Sequence, residues 1–299
     1  MKHRTISQVF YFFLTAFFFE QVVLAQTLFN SSAIFARESY GVTFTTTADT
    51  LFFVRSHGGK EKLQIWQSVK TEGVWSKPLP AFFADFNEIQ NQPYVSPYGD
   101  AIYYSSKPDE NSWADIYVVY KIEGVWGEPQ RLSNSINSNA NECQPAVSKN
   151  NTLYFTRSVS DNNIFRSTIV GNELSLALPL SPYINTIRNE SDAYISPDED
   201  YIIFTANRHD RLSETDLFVS FRKNDLWSYP QHFGIRINSE KSEFAPFVDQ
   251  KNKLFYFSRL EIIGEQKKYK IYLIPLNELH LERLKKQAYF HLNVKPSLK

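Results

Sequence analysis

The chain has 299 residues and no net formal charge. It therefore lacks the basic footprint of a nucleic-acid binder, and with Cys143 as its single cysteine it has no internal disulfide. Its 25 Phe and 17 Tyr against one Met favour strands over helices, and a packed core must hold the fold without covalent staples.

The N-terminus comes first. Lys2, His3 and Arg4 precede an apolar run, VFYFFLTAFFF from Val9 to Phe19, which Glu20 closes. Val-Leu-Ala before Gln26 puts apolar and small residues at −3 and −1 of a cleavage site, so residues 1–25 read as a secretory signal peptide. An uncleaved anchor is the weaker reading, because a run of about 11 residues is short of the ~20 that span a bilayer. No later segment is apolar enough to cross a membrane. The mature chain, 26–299, is expected in the periplasm or outside the cell.

From Thr43 onward the sequence repeats. TFTTTADTLFFVRS from Thr43, YVSPYGDAIYYSS from Tyr94, AVSKNNTLYFTRS from Ala146, YISPDEDYIIFTANR from Tyr194 and FVDQKNKLFYFSR from Phe247 each read as a short strand, a polar turn and an apolar-aromatic strand. The second half of each unit repeats too. QIWQSVKTEGVW from Gln64, DIYVVYKIEGVW from Asp115, NIFRSTIVGNEL from Asn163, DLFVSFRKNDLW from Asp216 and KIYLIPLNELHL from Lys270 share one length. Ile136, Ile184 and Ile237 follow at one fixed offset, and Glu142, Glu190 and Glu243 at a second. A period near 50 residues, with four short strands per unit, predicts a β-propeller.

Five all-β blades are expected, at approximately 40–90, 91–141, 142–190, 191–242 and 243–285, each of four antiparallel strands a to d. Trp75, Trp126 and Trp227 open strand d as core filler. Pro78, Pro129 and Pro230 follow them, where an outer strand tolerates proline. LFNSSAIFARESYGVTF from Leu28 aligns with LSNSINSNANECQPAVS from Leu132, so the N-terminal segment is expected to help close the ring as an outer strand. A sixth, degenerate blade is the alternative.

These residues resemble the WD40-like, TolB-type propeller repeat. Blade 2 carries Pro93, Ser96-Pro97, Gly99-Asp100 and Asp115-Ile116-Tyr117; blade 4 carries Glu190, Ser196-Pro197-Asp198, Asp200 and Asp216-Leu217-Phe218. Blade 3 adds Glu142, Pro145, Ser148 and Arg157, and blade 5 adds Glu243, Pro246, Ser258 and Arg259. The turn glycine is missing from four blades, and Asn163 replaces the strand-c Asp in blade 3. The resemblance implies a propeller similar to those of bacterial envelope and OmpA-associated proteins, acting as an interaction platform. No OmpA-like domain is recognisable, so peptidoglycan binding does not carry over.

In a propeller the d–a and b–c loops leave on one face. Glu142, Glu190 and Glu243 at the start of strand a, Arg157, Arg208 and Arg259 at the end of strand b, and Asp115 and Asp216 at the start of strand c should therefore share it. One reading is a ring of acids around the channel mouth that could hold a cation such as calcium, which takes roughly six to eight oxygens. The preferred reading is a Glu–Arg–Asp network that fastens strand a to the b–c hairpin, with no cofactor and no metal. Variable b–c loops on a rigid ring are the place for specificity. Trp113 in one of them is either an interface anchor or a ring folded back on its blade. His57 and His209 read as surface residues of such loops, and Cys143 as a small buried residue.

A glycosidase would need two carboxylates of distinct role, about 5–9 Å apart, and these should break the repeat. Asp85 and Glu88 are such off-repeat acids and read as solvated. The expectation is an exported, non-catalytic propeller that binds a protein or envelope component through its b–c loop face. The alternative is a carbohydrate-active or sugar-binding propeller that uses the central channel. The most acidic stretch, NESDAYISPDEDYIIFTANR from Asn189, then divides into Glu190 at one end of a strand and the turn acids Asp198, Glu199 and Asp200 at the other.

Overall fold

A computed structural model describes residues 26–29, 34, 38–56, 62–171, 173–207, 214–264 and 266–290. The signal-peptide reading of residues 1–25 falls outside this set. The described chain forms five separate antiparallel sheets. Strands a of the five blades are Ser39–Phe44, Ile89–Val95, Asn141–Val147, Ser191–Ile195 and Ser242–Asp249, and each contacts the next around a closed ring. Strands b are Thr50–Ser56, Ala101–Lys107, Thr152–Ser158, Tyr201–Asn207 and Leu254–Ile263; strands c are Leu63–Thr71, Asp115–Ile122, Asn162–Val170, Thr215–Lys223 and Gln266–Pro275. The five-bladed expectation holds, and the sixth blade is absent from the described residues.

Strand d is split in blades 1 to 4. A two-residue stub, such as Val74–Trp75, pairs with the end of strand c, and a second piece, such as Leu79–Pro80, pairs with its middle. In blades 1, 2 and 4 the proline three residues after the stub, Pro78, Pro129 or Pro230, has no N–H to donate; blade 3 breaks at the same place with Ala177 there. Serine spans the break in three blades. The hydroxyls of Ser76, Ser175 and Ser228 accept from the amides of Val69, Thr168 and Phe221 at 3.0–3.1 Å. Ser68, Ser167 and Ser220 in turn donate to the carbonyls of those serines.

The repeated tryptophans sit on the stubs, each directly opposite a cation of strand c: Lys70, Lys121 and Arg222. Each cation lies over its indole ring at 5.4–5.9 Å. Trp227 is buried, as core filler should be. Trp75 and Trp126 are only half-buried, and they owe their place to the cation as well as to packing.

Blade 5 takes its outer strand from the other end of the chain. Thr27–Leu28 pairs antiparallel with Leu273 and Tyr272, and the Phe29 amide continues the ladder to the Ile271 carbonyl at 2.9 Å. Phe29 then packs edge-on against Tyr256 and Phe44, with centroids 5.3 and 6.4 Å away, and so stitches blade 5 to blade 1. Phe29→Ala should cost roughly 2 kcal/mol, below the 3–5 typical of a fully buried Phe. Urea denaturation measures this, and an unchanged midpoint would show that the seam does not depend on this ring.

Candidate functional site

On the face where strands a begin, Glu142 and Glu243 are fully buried. Register places Glu142 opposite Arg157 and Glu243 opposite Arg259, with Nε–Oε1 distances of 2.7 and 2.6 Å. Each carboxylate also accepts from the amide and hydroxyl of a serine on the preceding connection, Ser138 or Ser239. Each arginine donates onward to the carbonyl of Ile136 or Ile237. Arg55 makes the same reach to Ile34 in blade 1, where Ser39 replaces the glutamate. Burial raises the Glu243 carboxyl above its usual range, and the Ser239 and Arg259 bonds oppose this. The unit ties the d–a connection of one blade to the a–b hairpin of the next. Glu190 holds Thr186 in the same way; Arg208 lies outside the described residues, as do His57 and His209.

Asp115 does not join this network, which corrects the expected Glu–Arg–Asp arrangement for blade 2; in blade 4 the expected arginine, Arg208, lies outside the described residues. Arg55, Arg157 and Arg259 stand opposite Gln64, Asn163 and Lys270 on strand c. Asp115 and Asp216 stand opposite Ser106 and Ala206. Asp115 and Asp216 each meet a side chain of strand d. Arg131 grips Asp115 with two nitrogens at 2.6 and 3.0 Å, and His232 lies 3.0 Å from Asp216. The corresponding strand-d residues of blades 1 and 3 are Pro80 and Pro179. Among the described residues, blades 1, 3 and 5 thus carry an inner Arg, and blades 2 and 4 an Asp met by a strand-d side chain.

Two residues beyond each Glu142-type position, every strand a makes a bulge. Gly41, Gln92, Gln144, Asp192 and Ala245 all have φ between 48° and 63°. Only Gly41 adopts this conformation without a Cβ penalty, so side-chain bonds must hold the other four. Gln92 Oε1 accepts from the Gln144 amide at 3.2 Å, and Gln144 Oε1 from the Asp192 amide at 3.0 Å. The Asp192 carboxylate accepts from the Ala245 amide. Ala245 has no side chain to continue the relay, so Ser258 Oγ takes the Gly41 amide at 3.0 Å and Asn91 Oδ1 takes that of Gln92 at 2.9 Å.

These bulges line an axial cavity of about 50 Å³, room for one or two waters. Asp192 is the one carboxylate on its wall. Burial pushes its carboxyl up from 3.8 to about 7, against the Ala245 and Gln144 bonds. Burial also pushes the neighbouring Cys143 thiol up to about 12, which removes it as a thiolate nucleophile. Asp192 belongs to no motif. Its only sequence signal is that it follows Glu190 by the interval that separates Gln144 from Glu142 and Ala245 from Glu243.

Below the bulges the axis is blocked. Thr43, Tyr94, Ala146, Tyr194 and Phe247 follow the bulges, and Phe247 meets Tyr194 and Tyr94 edge-on at 5.9 and 6.5 Å. Tyr94 and Phe247 line both the small cavity and a wider one of about 670 Å³ on the a–b turn face, so they form the partition. On that face Glu199 goes beyond turn chemistry. It is buried, accepts from Ser148 of blade 3 at 2.6 Å and pairs with Arg222 of its own blade. Asp85 and Glu88 organise their own connection, with Asp85 bonded to Asn87 and Glu88 to Ser106. No group of three or more His, Cys, Asp or Glu among the described residues is placed to hold a metal ion, and no described helix is long and apolar enough to cross a membrane.

No protein-family model and no curated protein matches the sequence. Solved structures do. A protein assigned as TolB from Agrobacterium tumefaciens superposes with a TM-score of 0.53 at 13% identity, over 81% of this chain and 78% of that one. The fold is a β-propeller. The α-L-arabinofuranosidase PaAbf62A from Podospora anserina, solved with cellotriose, superposes with a TM-score of 0.53 at 10% identity, over 84% of this chain and 93% of that one. One architecture thus carries unrelated functions, and the function here has to be argued from side chains.

Proposed function

We propose that the chain is an exported, non-catalytic propeller that docks a protein or another envelope component through its b–c and d–a loops. The supporting observation is what those loops expose. Trp113 is 57% exposed, Val159 82%, Ile187 87% and Ile235 94%, with Ile262 and Ile263 in blade 5 also open. Apolar side chains spread singly need no explanation. Here they recur on the loops of one face in four blades, and they suit the dry centre of an interface with a polar rim. The likeness to TolB agrees with an envelope setting.

Catalysis is disfavoured by how the acids are used. Glu142 and Glu243 are held by arginines, Asp115 by Arg131 and Asp216 by His232 of strand d, and Asp192 has no second carboxylate beside it in the axial cavity. The shared architecture with an arabinofuranosidase favours the carbohydrate-active alternative only at the level of fold. The test is crosslinking in the native envelope with Ile187→Glu/Ile235→Glu beside the wild type. The partner that the wild type recovers should be lost from the double variant at unchanged Tm. Equal recovery from both, or turnover of a glycan panel, overturns the reading.

A further inference from the structure

Five seams separate the blades at the rim, and the stub of strand d governs how each is filled. Trp126 meets Phe82 of blade 1 at 5.5 Å, and Trp75 meets Phe44, which meets Tyr256 of blade 5 at 5.0 Å. Trp227 is buried, and beside its stub Tyr229 meets Tyr183 of blade 3 at 4.7 Å. Blade 3 has Leu174 where those stubs have tryptophan, and Ile169 opposite it where they have a cation. Across the same seam, blade 2 offers Ser133 at the position of Phe82. The missing rings leave a groove of about 640 Å³ between blades 2 and 3. Val118, Leu132, Ile169 and Leu174 form its apolar side, and Ile122, 68% exposed, carries that side out to solvent.

Blade 5 shows what else fills such a seam. It has no stub among the described residues. Its strand c runs on into a 3-10 turn, Leu276–Leu279, and a helix, Leu281–Gln287. The ring closes through Thr27–Leu28 without them. The Leu276 amide bonds the Lys253 carbonyl at 2.8 Å, as the Ile169 amide bonds that of Asn151 at 2.7 Å. The helical segment therefore leaves blade 5 where blade 3 turns into its stub. Leu281 and Leu284, one turn apart, pack on the core. Two contacts with blade 4 fasten the helix. Gln231 Nε2 donates to the Leu284 carbonyl at 3.0 Å, and Lys285 lies 3.7 Å from Asp200.

Both of those blade-4 groups recur in the open groove. Gln130 faces Val118 as Gln231 faces Val219, and the Asp100 carbonyl takes the Lys121 amide as the Asp200 carbonyl takes that of Arg222. Gln130 and Asp100 line the groove together. Its cations are already engaged: Arg131 grips Asp115, and Lys121 lies over Trp126 at 5.4 Å. Asp100 and Glu173 stand exposed at its edge, so the charge it offers is acidic.

We propose that this groove takes a short basic amphipathic helix of a partner protein, as blade 4 takes Leu281–Gln287 of its own chain. Two leucines one turn apart would lie on the apolar side, the usual way a helix enters a groove. A backbone carbonyl would accept from Gln130, and a lysine would face Asp100. A second copy is the poorer occupant, because lending its own helix would open the seam that the helix now fills. Trp113, Ile187 and Ile235 do not line the groove, so this site and the docking loops fail separately.

The experiment is fluorescence anisotropy of a labelled peptide with the sequence of residues 276–290, titrated with the mature chain. Saturable binding with a Kd below about 1 mM is expected. Leu174→Trp, which supplies the ring that other stubs carry, should weaken it tenfold or more at unchanged Tm. Asp100→Lys/Glu173→Lys should weaken it as much, and serves if the tryptophan variant unfolds. Asp200→Lys, on the seam of the chain's own helix, should change affinity less than threefold, and Ile187→Glu/Ile235→Glu not at all. A peptide with Arg283→Glu, Lys285→Glu and Lys286→Glu should bind at least tenfold more weakly. No saturable binding, equal binding of the charge-reversed peptide, indifference to both groove variants, or loss of binding in Asp200→Lys overturns the proposal. A concentration-dependent dimer in sedimentation, abolished by Leu174→Trp, would make a second copy the occupant and overturn it too.

Discussion

Arg157→Met is expected to cost about 3–5 kcal/mol of stability, the range for a buried ion pair that loses one partner. The Glu142 side chain is 0% exposed and that of Arg157 16%, so the substitution strands a carboxylate with no access to water. The guanidinium also lies over Phe155 and Phe165, with Cζ 5.5 and 4.6 Å from the ring centroids, so methionine gives up these contacts together with the charge and its hydrogen bonds. The variant Glu142→Gln/Arg157→Met should recover most of the loss, because the introduced carboxamide would still accept from Ser138 and nothing charged remains buried. Guanidinium unfolding of the wild type, the two single variants and the double variant forms the cycle. If the double variant is as unstable as Arg157→Met alone, the pair is not the source of the effect.

Asp192→Asn should stabilise the protein at neutral and alkaline pH and do nothing at pH 3. The carboxyl titrates near 3.8 when unfolded and at about 7 when folded. Between those values the folded state holds a proton that the unfolded state has released, so wild-type stability falls as pH rises through this window and levels off above it. The difference converts to roughly 4 kcal/mol at pH 8. Asparagine keeps an acceptor for the Ala245 amide and has no charge to bury. Tyr40 and Cys143 are the titratable groups that feel the Asp192 charge, and burial keeps both protonated throughout the window, so neither confuses the comparison. Parallel wild-type and variant stability curves from pH 4 to pH 8 would show that Asp192 is already ionised in the fold.

The period and the blade count were legible because each unit spends the same residue on the same structural duty. Ile136, Ile184 and Ile237 are buried in successive d–a connections, and Glu142, Glu190 and Glu243 fasten those connections. The closing strand was legible in outline from the likeness of Leu28–Phe44 to the end of another unit, but out of register: the gapless alignment sets Glu38 on Glu142, whereas Ser39 faces Arg55 as Glu142 faces Arg157. Partners across the sheet were less legible. Register puts Ala206, rather than an arginine, opposite Asp216. No spacing along one strand reveals which residue faces another across two. The bulges were invisible because four different residue types share one backbone conformation there. The wider cavity of the a–b turn face was missed because its lining comes from turns that look like ordinary polar loops and from a tail that fits no repeat.

The outer strand of blade 5 also sets an order of events. Gln26 and Arg259 are hydrogen-bonded 233 positions apart, beside the pairing of Thr27–Leu28 with the last strand c. Contacts of that span are slow to form, because loop entropy is lost before any contact repays it. A ribosome makes Thr27–Leu28 before any blade and its partner after all the others. The first strand of the ring must wait unpaired through the synthesis of the five blades, and the circle can lock only once Gln266–Pro275, the last strand c, has been made.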